Sequence, residues 1–238
     1  MTERLFEQDA YLRNAEATVV AGGEQGVLLD RTIFYPLGGG QPGDTGRLRS
    51  ADGRQWTVVD TRKSRDTGEI WHVLEGDGEA LPDTGSTLLL EIDWARRHRL
   101  MRMHTCLHLL SAVIVAPVTG GQVGDGYGRL DFDLEESPDV ADVEARLNAL
   151  VAANHPVSMR WISDAELEAN PQLVKTMSVS PPRGVGDIRL VEVAGTDLQP
   201  CGGTHVANTG EIGPVRVAKI DKKGRQNRRV RLEFAETS

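Results

Sequence analysis

The chain has 238 residues, 39% of them hydrophobic and 26% charged, which suits a folded core that needs no disulfide staples. A formal net charge of −8 argues against a protein that coats polyanions along their length. No run approaches the roughly 18 apolar residues of a membrane span. The start, Met1-Thr-Glu-Arg-Leu-Phe-Glu-Gln-Asp, lacks the apolar centre of a secretory leader, so we expect a cytoplasmic protein without membrane attachment. In that reducing setting the two cysteines, Cys106 and Cys201, are better read as metal-ligating or catalytic candidates than as a disulfide. Two basic clusters run against the overall sign: Arg96, Arg97, Arg99 and Arg102, and Lys219, Lys222, Lys223, Arg225, Arg228, Arg229 and Arg231. Each is either solvated surface or a defined place for phosphates.

The first 93 residues read as β-rich, with short apolar runs at Ala17–Ala21, Gly26–Asp30, Gln55–Asp60, Glu69–Leu74 and Thr87–Asp93. Turns at Gly22-Gly23, Asp52-Gly53 and Gly76-Asp77-Gly78 separate them, the pattern of a small barrel or sandwich. Within this half, Tyr35 to Gly46 carries five glycines, Gly38, Gly39, Gly40, Gly43 and Gly46, a density that implies positive φ angles or close backbone approach. A change of pattern follows at Trp94. From Ala95 to Val115 there is no Pro or Gly, and Leu100, Met103, Leu107, Leu110 and Ile114 recur every three or four residues, which predicts an amphipathic helix stopped by Pro117. Thr119 to Gly126 reads as a loop and Arg129–Leu134 as a strand. A second helix is expected from Ser137-Pro138 to Asn154, with Pro in its first turn. After a strand at Val157–Ile162, Ser163-Asp-Ala-Glu166 has capping-box spacing and should open a short third helix. Strands are expected at Asp187–Val193, Pro214–Ile220 and Arg228–Phe234. The fold class is therefore α+β: a small β-barrel-like domain over 1–93, then an α+β domain over 94–238.

Four residues stand out chemically. His104 and His108 are four apart on the predicted helix, so both imidazoles leave one face. Downstream, in Cys201-Gly-Gly-Thr-His205, the glycine pair favours a tight loop that turns Cys and His inward together. A thiolate with three imidazoles suits zinc over magnesium or calcium. A zinc protease would carry Glu beside the first His, and Thr105 stands there instead. Four protein ligands fill a structural site, whereas a catalytic one keeps a position open, and spacing leaves that choice undecided.

His104-Thr-Cys-Leu-His-Leu-Leu110 together with Cys201-Gly-Gly-Thr-His-Val-Ala-Asn-Thr-Gly-Glu-Ile-Gly213 resembles the editing domain of alanyl-tRNA synthetase, and the free-standing editing proteins called AlaX. Gly38-Gly-Gly-Gln41 followed by Asp44-Thr-Gly46 is similar to the glycine-rich motif of the longer AlaX forms. Leu130-Asp-Phe132 and the basic stretch Lys222 to Arg229 fit as well. One departure is Cys106-Leu107, where the family often has Ala-Thr; two residues from each His, Cys106 turns off their face and reads as a small buried side chain. From the length of 238 residues we expect no aminoacylating domain beside these two.

The resemblance implies an ATP-independent trans-editing hydrolase that deacylates mischarged tRNA(Ala), chiefly Ser-tRNA(Ala), with Gly-tRNA(Ala) a further candidate substrate. It implies one Zn2+ per chain on His104, His108, Cys201 and His205, and no obligatory protein partner. Thr105 and Gln122 become the candidates for polar contacts at the reacting group. Gly39, Gly40, Gln41, Gly202, Gly203, Thr204, Lys222, Lys223 and Arg225 are the candidates for substrate and tRNA contacts. Both basic clusters are expected on acceptor-stem phosphates. The alternatives are a non-catalytic zinc-stabilised RNA-binding module and a metallohydrolase of small esters.

Overall fold

A computed structural model describes residues 2–76, 80–175 and 187–235. The expected turn at Gly76-Asp77-Gly78 lies, beyond Gly76, outside them. The chain divides into two compact units, Met1–His98 and Arg99–Ser238.

The first unit opens with β1 (Glu3–Arg4) and the one-turn α1 (Leu5–Gln8). It continues with β2 (Asn14–Gly23), β3 (Gly26–Leu29), β4 (Arg31–Thr32), β5 (Gly46–Ser50), β6 (Gln55–Lys63), β7 (Ile70–Leu74) and β8 (Thr87–Ile92). Six of these close into a barrel in the order β2-β3-β7-β6-β5-β8. Alternating inward residues fill it, among them Val19, Leu29, Leu48, Val58, Leu88 and Leu90, each at most 1% exposed. Strand β5 lies in a stretch without an expected strand, because its first residue, Gly46, also ends the glycine-rich segment. That segment folds into a tight turn at Gly38–Gln41, closed by reciprocal backbone bonds of 3.1 and 2.9 Å. Gly39 and Gly40 have φ of 54° and 80°, the two positive values that a type I′ turn requires of its central residues.

The helix α2 (Trp94–Val113) starts in the first unit, and most of it belongs to the second. It is not the one-sided amphipathic helix expected: Met103 to Ser111 are buried on every face. Periodicity registers only the apolar positions, whereas here His104, Thr105 and His108 are buried too, each bonded or clustered with other polar groups.

The second unit adds β9 (Val118–Val123), β10 (Tyr127–Asp133), α3 (Val140–Ala152), β11 (Val157–Ile162), α4 (Asp164–Ala169), β12 (Ile188–Val193), β13 (Asp197–Pro200), β14 (Val215–Gly224) and β15 (Asn227–Phe234). One sheet has the order β14-β15-β10-β9, and a second has the order β11-β12-β13. The loop expected at Thr119–Gly126 is largely strand β9, antiparallel to β10. Its glycines serve close approach, since a Cβ on Gly121 would lie 2.9 Å from Leu130 Cδ2. Helix α3 begins later than expected. Asp139 is its N-cap, accepting from Asp142 N–H at 2.8 Å, which leaves Pro138 before the helix. The capping box of α4 is present, with Ser163 Oγ accepting from Glu166 N–H and Glu166 Oε2 from Ser163 N–H.

A candidate metal centre

The ligand-type atoms of His104, His108, Cys201 and His205 lie within 4.8 Å of one another. Helix α2 supplies the first two, one turn apart. The others come from the loop after β13, whose start is fixed by Cys201 N–H donating to Arg189 O at 3.1 Å. Cys201 Sγ is 3.5 Å from His104 Nε2 and 3.3 Å from His205 Nε2. Tetrahedral zinc, with Zn–S of about 2.3 Å and Zn–N of about 2.0 Å, holds sulfur and nitrogen roughly 3.5 Å apart. The donor set and its spacing therefore fit such an ion.

The groups behind the ligands strengthen that fit. His108 Nδ1 donates to Asp197 Oδ2 at 3.0 Å, so its Nε2 faces the cluster. Asp197 has no side-chain exposure, and it also accepts from Lys175 Nζ at 2.5 Å and Gln199 Nε2 at 2.7 Å. Gln199 in turn donates to Ser111 Oγ at 3.2 Å. His205 is oriented by Thr105, whose hydroxyl donates to Met101 O at 3.0 Å. The same oxygen accepts from Val206 N–H at 3.2 Å and from His205 Nδ1 at 3.1 Å. Two imidazoles thus have their outer nitrogens pinned and their Nε2 atoms turned inward, the arrangement usual behind metal-bound histidines. Gly203 N–H donates to Cys201 Sγ at 3.4 Å, a contact that favours thiolate.

Burial and neighbouring charges shift several groups of the cluster. Burial alone would push the Cys201 thiol up, but the neighbouring imidazoles of His104 and His205 hold it well below its usual range. Burial opposes a charge on His108, yet Asp197 and the Cys201 thiolate outweigh it and raise its pKa to about 9. Asp197 is likewise disfavoured as an anion by burial, but His108 and Lys175 bring it down to about 2. Burial, then the adjacent His104, lowers His205 to about 3, leaving it neutral. Cys106, by contrast, is fully buried and its thiol is pushed up to about 12, which makes it an inert packing residue.

The other expected site residues fall at several places. Thr105 is fully buried behind His205. Gln122 is exposed on β9, accepting from Arg129 Nε at 3.3 Å. Gly202 is exposed while Gly203 and Thr204 are buried, Gly203 O accepting from Arg189 Nη1 at 2.7 Å. Gly39 and Gly40 are exposed, but Gln41 is fully buried.

Of the cluster expected on phosphates at Arg96–Arg102, Arg97 is corrected, while Arg96, Arg99 and Arg102 are half-buried. Arg97 is 1% exposed and forms a bidentate pair with Asp44, further donating to Ala10 O and Ile33 O. Arg96 donates to Gly43 O, Arg99 pairs with Asp125, and Arg102 grips Ile212 O while lying over the Phe234 ring. Arg97 thus serves the fold, because arginines crowded into one helix meet different neighbours on each face. In the second cluster Lys219 and Arg231 pair with Asp221, Arg229 pairs with Asp131, and Arg228 is buried. Lys222, Lys223 and Arg225 remain exposed at the β14–β15 turn, with no ion pair among the described residues.

Asp197, Gln199 and Lys175 were not expected. Asp197, Gln199 and Cys201 alternate, so in an extended segment all three share one face, and that period of two was the available signal. Lys175 had no local signal.

Comparison with known proteins defines the class first. Residues 188–231 match the family described as threonyl and alanyl tRNA synthetase second additional domain, and residues 7–96 match tRNA synthetases class II (A). An alanyl-tRNA editing protein AlaX-M of Methanosarcina mazei is 39% identical over 242 residues, covering 97% of this chain and 95% of its own. The AlaX-M of Saccharolobus solfataricus is 32% identical, covering 97% and 98%. An alanine--tRNA ligase of Sulfurisphaera tokodaii is 36% identical over 98% of this chain but only 26% of its own. The chain belongs to the AlaX family of alanyl-tRNA editing proteins.

Proposed function

We propose that this protein is a trans-editing hydrolase that removes serine, and more slowly glycine, from mischarged tRNA(Ala), without ATP and with one zinc ion per chain. The observation that carries this reading is the inward-facing quartet His104, His108, Cys201 and His205, backed by Asp197 and Thr105. Its relatives' names, alanyl-tRNA editing protein, supply the substrate class.

The scissile bond is an activated ester, so positioning and stabilisation of developing negative charge suffice. Bound zinc supplies a Lewis acid that orients and polarises polar groups of the substrate. The chain's residues do the rest. Thr105 fixes the His205 ring, and Asp197 fixes the His108 ring. The exposed peptide at Gly202 and the exposed Gln122 are the polar groups we assign to substrate. A site that hydrogen-bonds the serine hydroxyl leaves buried polar atoms unpaired when alanine enters, which spares the correct product. Lys222, Lys223 and Arg225 are assigned to tRNA phosphates, and the Gly39-Gly40 turn, closed by the Gln41 peptide, to a backbone contact with the RNA.

The test is deacylation of Ser-, Gly- and Ala-tRNA(Ala) with and without a chelator. The expected result is rapid loss of serine, slower loss of glycine, retention of alanine, and arrest of turnover on metal removal. Deacylation no faster than in buffer would leave the zinc-stabilised RNA-binding module as the better reading.

A further inference from the structure

Strand β11 is an edge of its three-stranded sheet. One face of that sheet packs Ile162, Ile188, Leu190 and Leu198 into a hydrophobic cluster. On the other face Trp161 stands opposite Arg189 and Met159 opposite Val191, while Val191 and Val193 stand opposite Gln199 and Asp197. The register holds one step past β13, where Cys201 N–H bonds to Arg189 O. A cross-strand row therefore runs from Trp161 through Arg189 to Cys201, spanning two strand spacings, roughly 10 Å. The middle of this face is closed, with Val191 fully buried and Arg189 5% exposed. Its outer end is open: Trp161 is 50% and Met159 37% exposed. The Arg189 guanidinium ties the two ends together, donating to Gly203 O and reaching Met159 Sδ.

We propose that Trp161 and Met159 form a stacking shelf for the unpaired 3′-terminal nucleobase of the tRNA whose aminoacyl ester lies at the metal cluster. The proposal rests on the reading of that cluster as an aminoacyl-tRNA hydrolase. An ester on the terminal ribose places its own base no farther than a nucleoside's length from the reacting carbon, and the shelf lies at that range from Cys201. An indole face with a thioether two residues along the strand, itself touched by the Arg189 guanidinium, suits a flat, electron-rich ring on an anionic backbone. The shelf is one ring wide, with Trp161 and Met159 as its exposed apolar side chains, too narrow for a broad apolar partner.

The test compares Trp161→Ala and Trp161→Phe on Ser-tRNA(Ala) and on serine ethyl ester, which has no nucleotide. Losing a stacked base corresponds to about 5- to 150-fold in affinity. We expect Trp161→Ala to raise KM for the tRNA about tenfold with kcat little changed, Trp161→Phe to recover most of it, and ester turnover to follow wild type in both. Independently of activity, the tetranucleotide ACCA should quench tryptophan fluorescence of the wild type and not of Trp161→Phe. An unchanged KM, a Trp161→Leu variant as good as Trp161→Phe, or a wild type that ACCA fails to quench would each overturn the shelf. So would a dimer that dissociates on Trp161→Ala, since a second copy would then be the occupant. Quenching without deacylation would retain the shelf and remove the hydrolase reading, so the two failures are distinguishable.

Discussion

Of the side chains around the metal cluster, Asp197 is the one whose loss should be most informative. It binds no substrate and no metal in the proposed site, yet it holds His108 Nδ1 at 3.0 Å and is itself held by Lys175 and Gln199. Asp197→Asn keeps the shape but removes the negative charge that supports His108. Zinc affinity, measured by competition with a chelating dye, should fall about 10- to 100-fold while the melting temperature of the zinc-loaded protein changes little. Equal affinity in the variant would show that His108 needs no carboxylate partner. At the same scale, His72 makes acid sensitivity testable in the barrel. It is fully buried between Thr32 Oγ1 and Val27 O, and burial, partly offset by the Val27 contact, lowers its pKa from 6.5 to about 4. Its folded pKa lies below its unfolded one, so its contribution is whole above about pH 6.5 and drains away as the pH falls towards 4. The slope should be about 1.4 kcal/mol per pH unit inside that window. Urea unfolding of wild type and His72→Gln should therefore converge between pH 6.5 and 5; parallel curves would deny His72 this role.

At the scale of elements, β9 shows how glycine misleads a reading by composition. Gly120 and Gly121 look like loop residues, but they pair with Asp131 and Leu130 of β10, and the absent side chain at Gly121 is what lets Leu130 close over it. Gly121→Val should strain that pairing and destabilise the protein by about 1–3 kcal/mol in chemical denaturation, with Gly120→Ala costing less. A neutral Gly121→Val would mean that β9 can shift at no cost. Helix α2 gives the complementary lesson. Its existence was legible from Leu100, Met103, Leu107, Leu110 and Ile114, because apolar side chains recurring every three to four residues need no tertiary information. Its burial on all faces was not, because Thr105 and His108 are polar residues whose hydrogen-bond partners, His205 and Asp197, lie 100 and 89 residues away.

At the scale of the molecule, an acidic chain of net charge −8 exposes Lys222, Lys223 and Arg225 together at one turn. If these three meet phosphates, tRNA binding should weaken steeply with salt. Replacing all three with Gln should flatten the logarithmic salt slope by about 2–3, and a triple variant with an unaltered slope would remove the turn from the interface. The helix arginines make the contrast. Arg97 is equally charged, but it lies inside a bidentate pair with Asp44 and carries no free charge to a ligand.

What the amino-acid sequence determined by itself was local or strictly periodic: the barrel-like run of short strands, the α2 helix, the α4 capping box, and two ligand pairs, each at a spacing of four residues. Such features survive translation into structure because they depend on backbone geometry within a turn or two. What only the tertiary structure decided was the company each side chain keeps. It joined the two pairs into one cluster, placed Asp197 and Thr105 behind His108 and His205, and separated the arginines that hold the fold from the basic residues left to solvent. Those outcomes turn on long-range contacts whose strength is set by burial and exclusion of water, and neither is a property of a residue's neighbours in the chain.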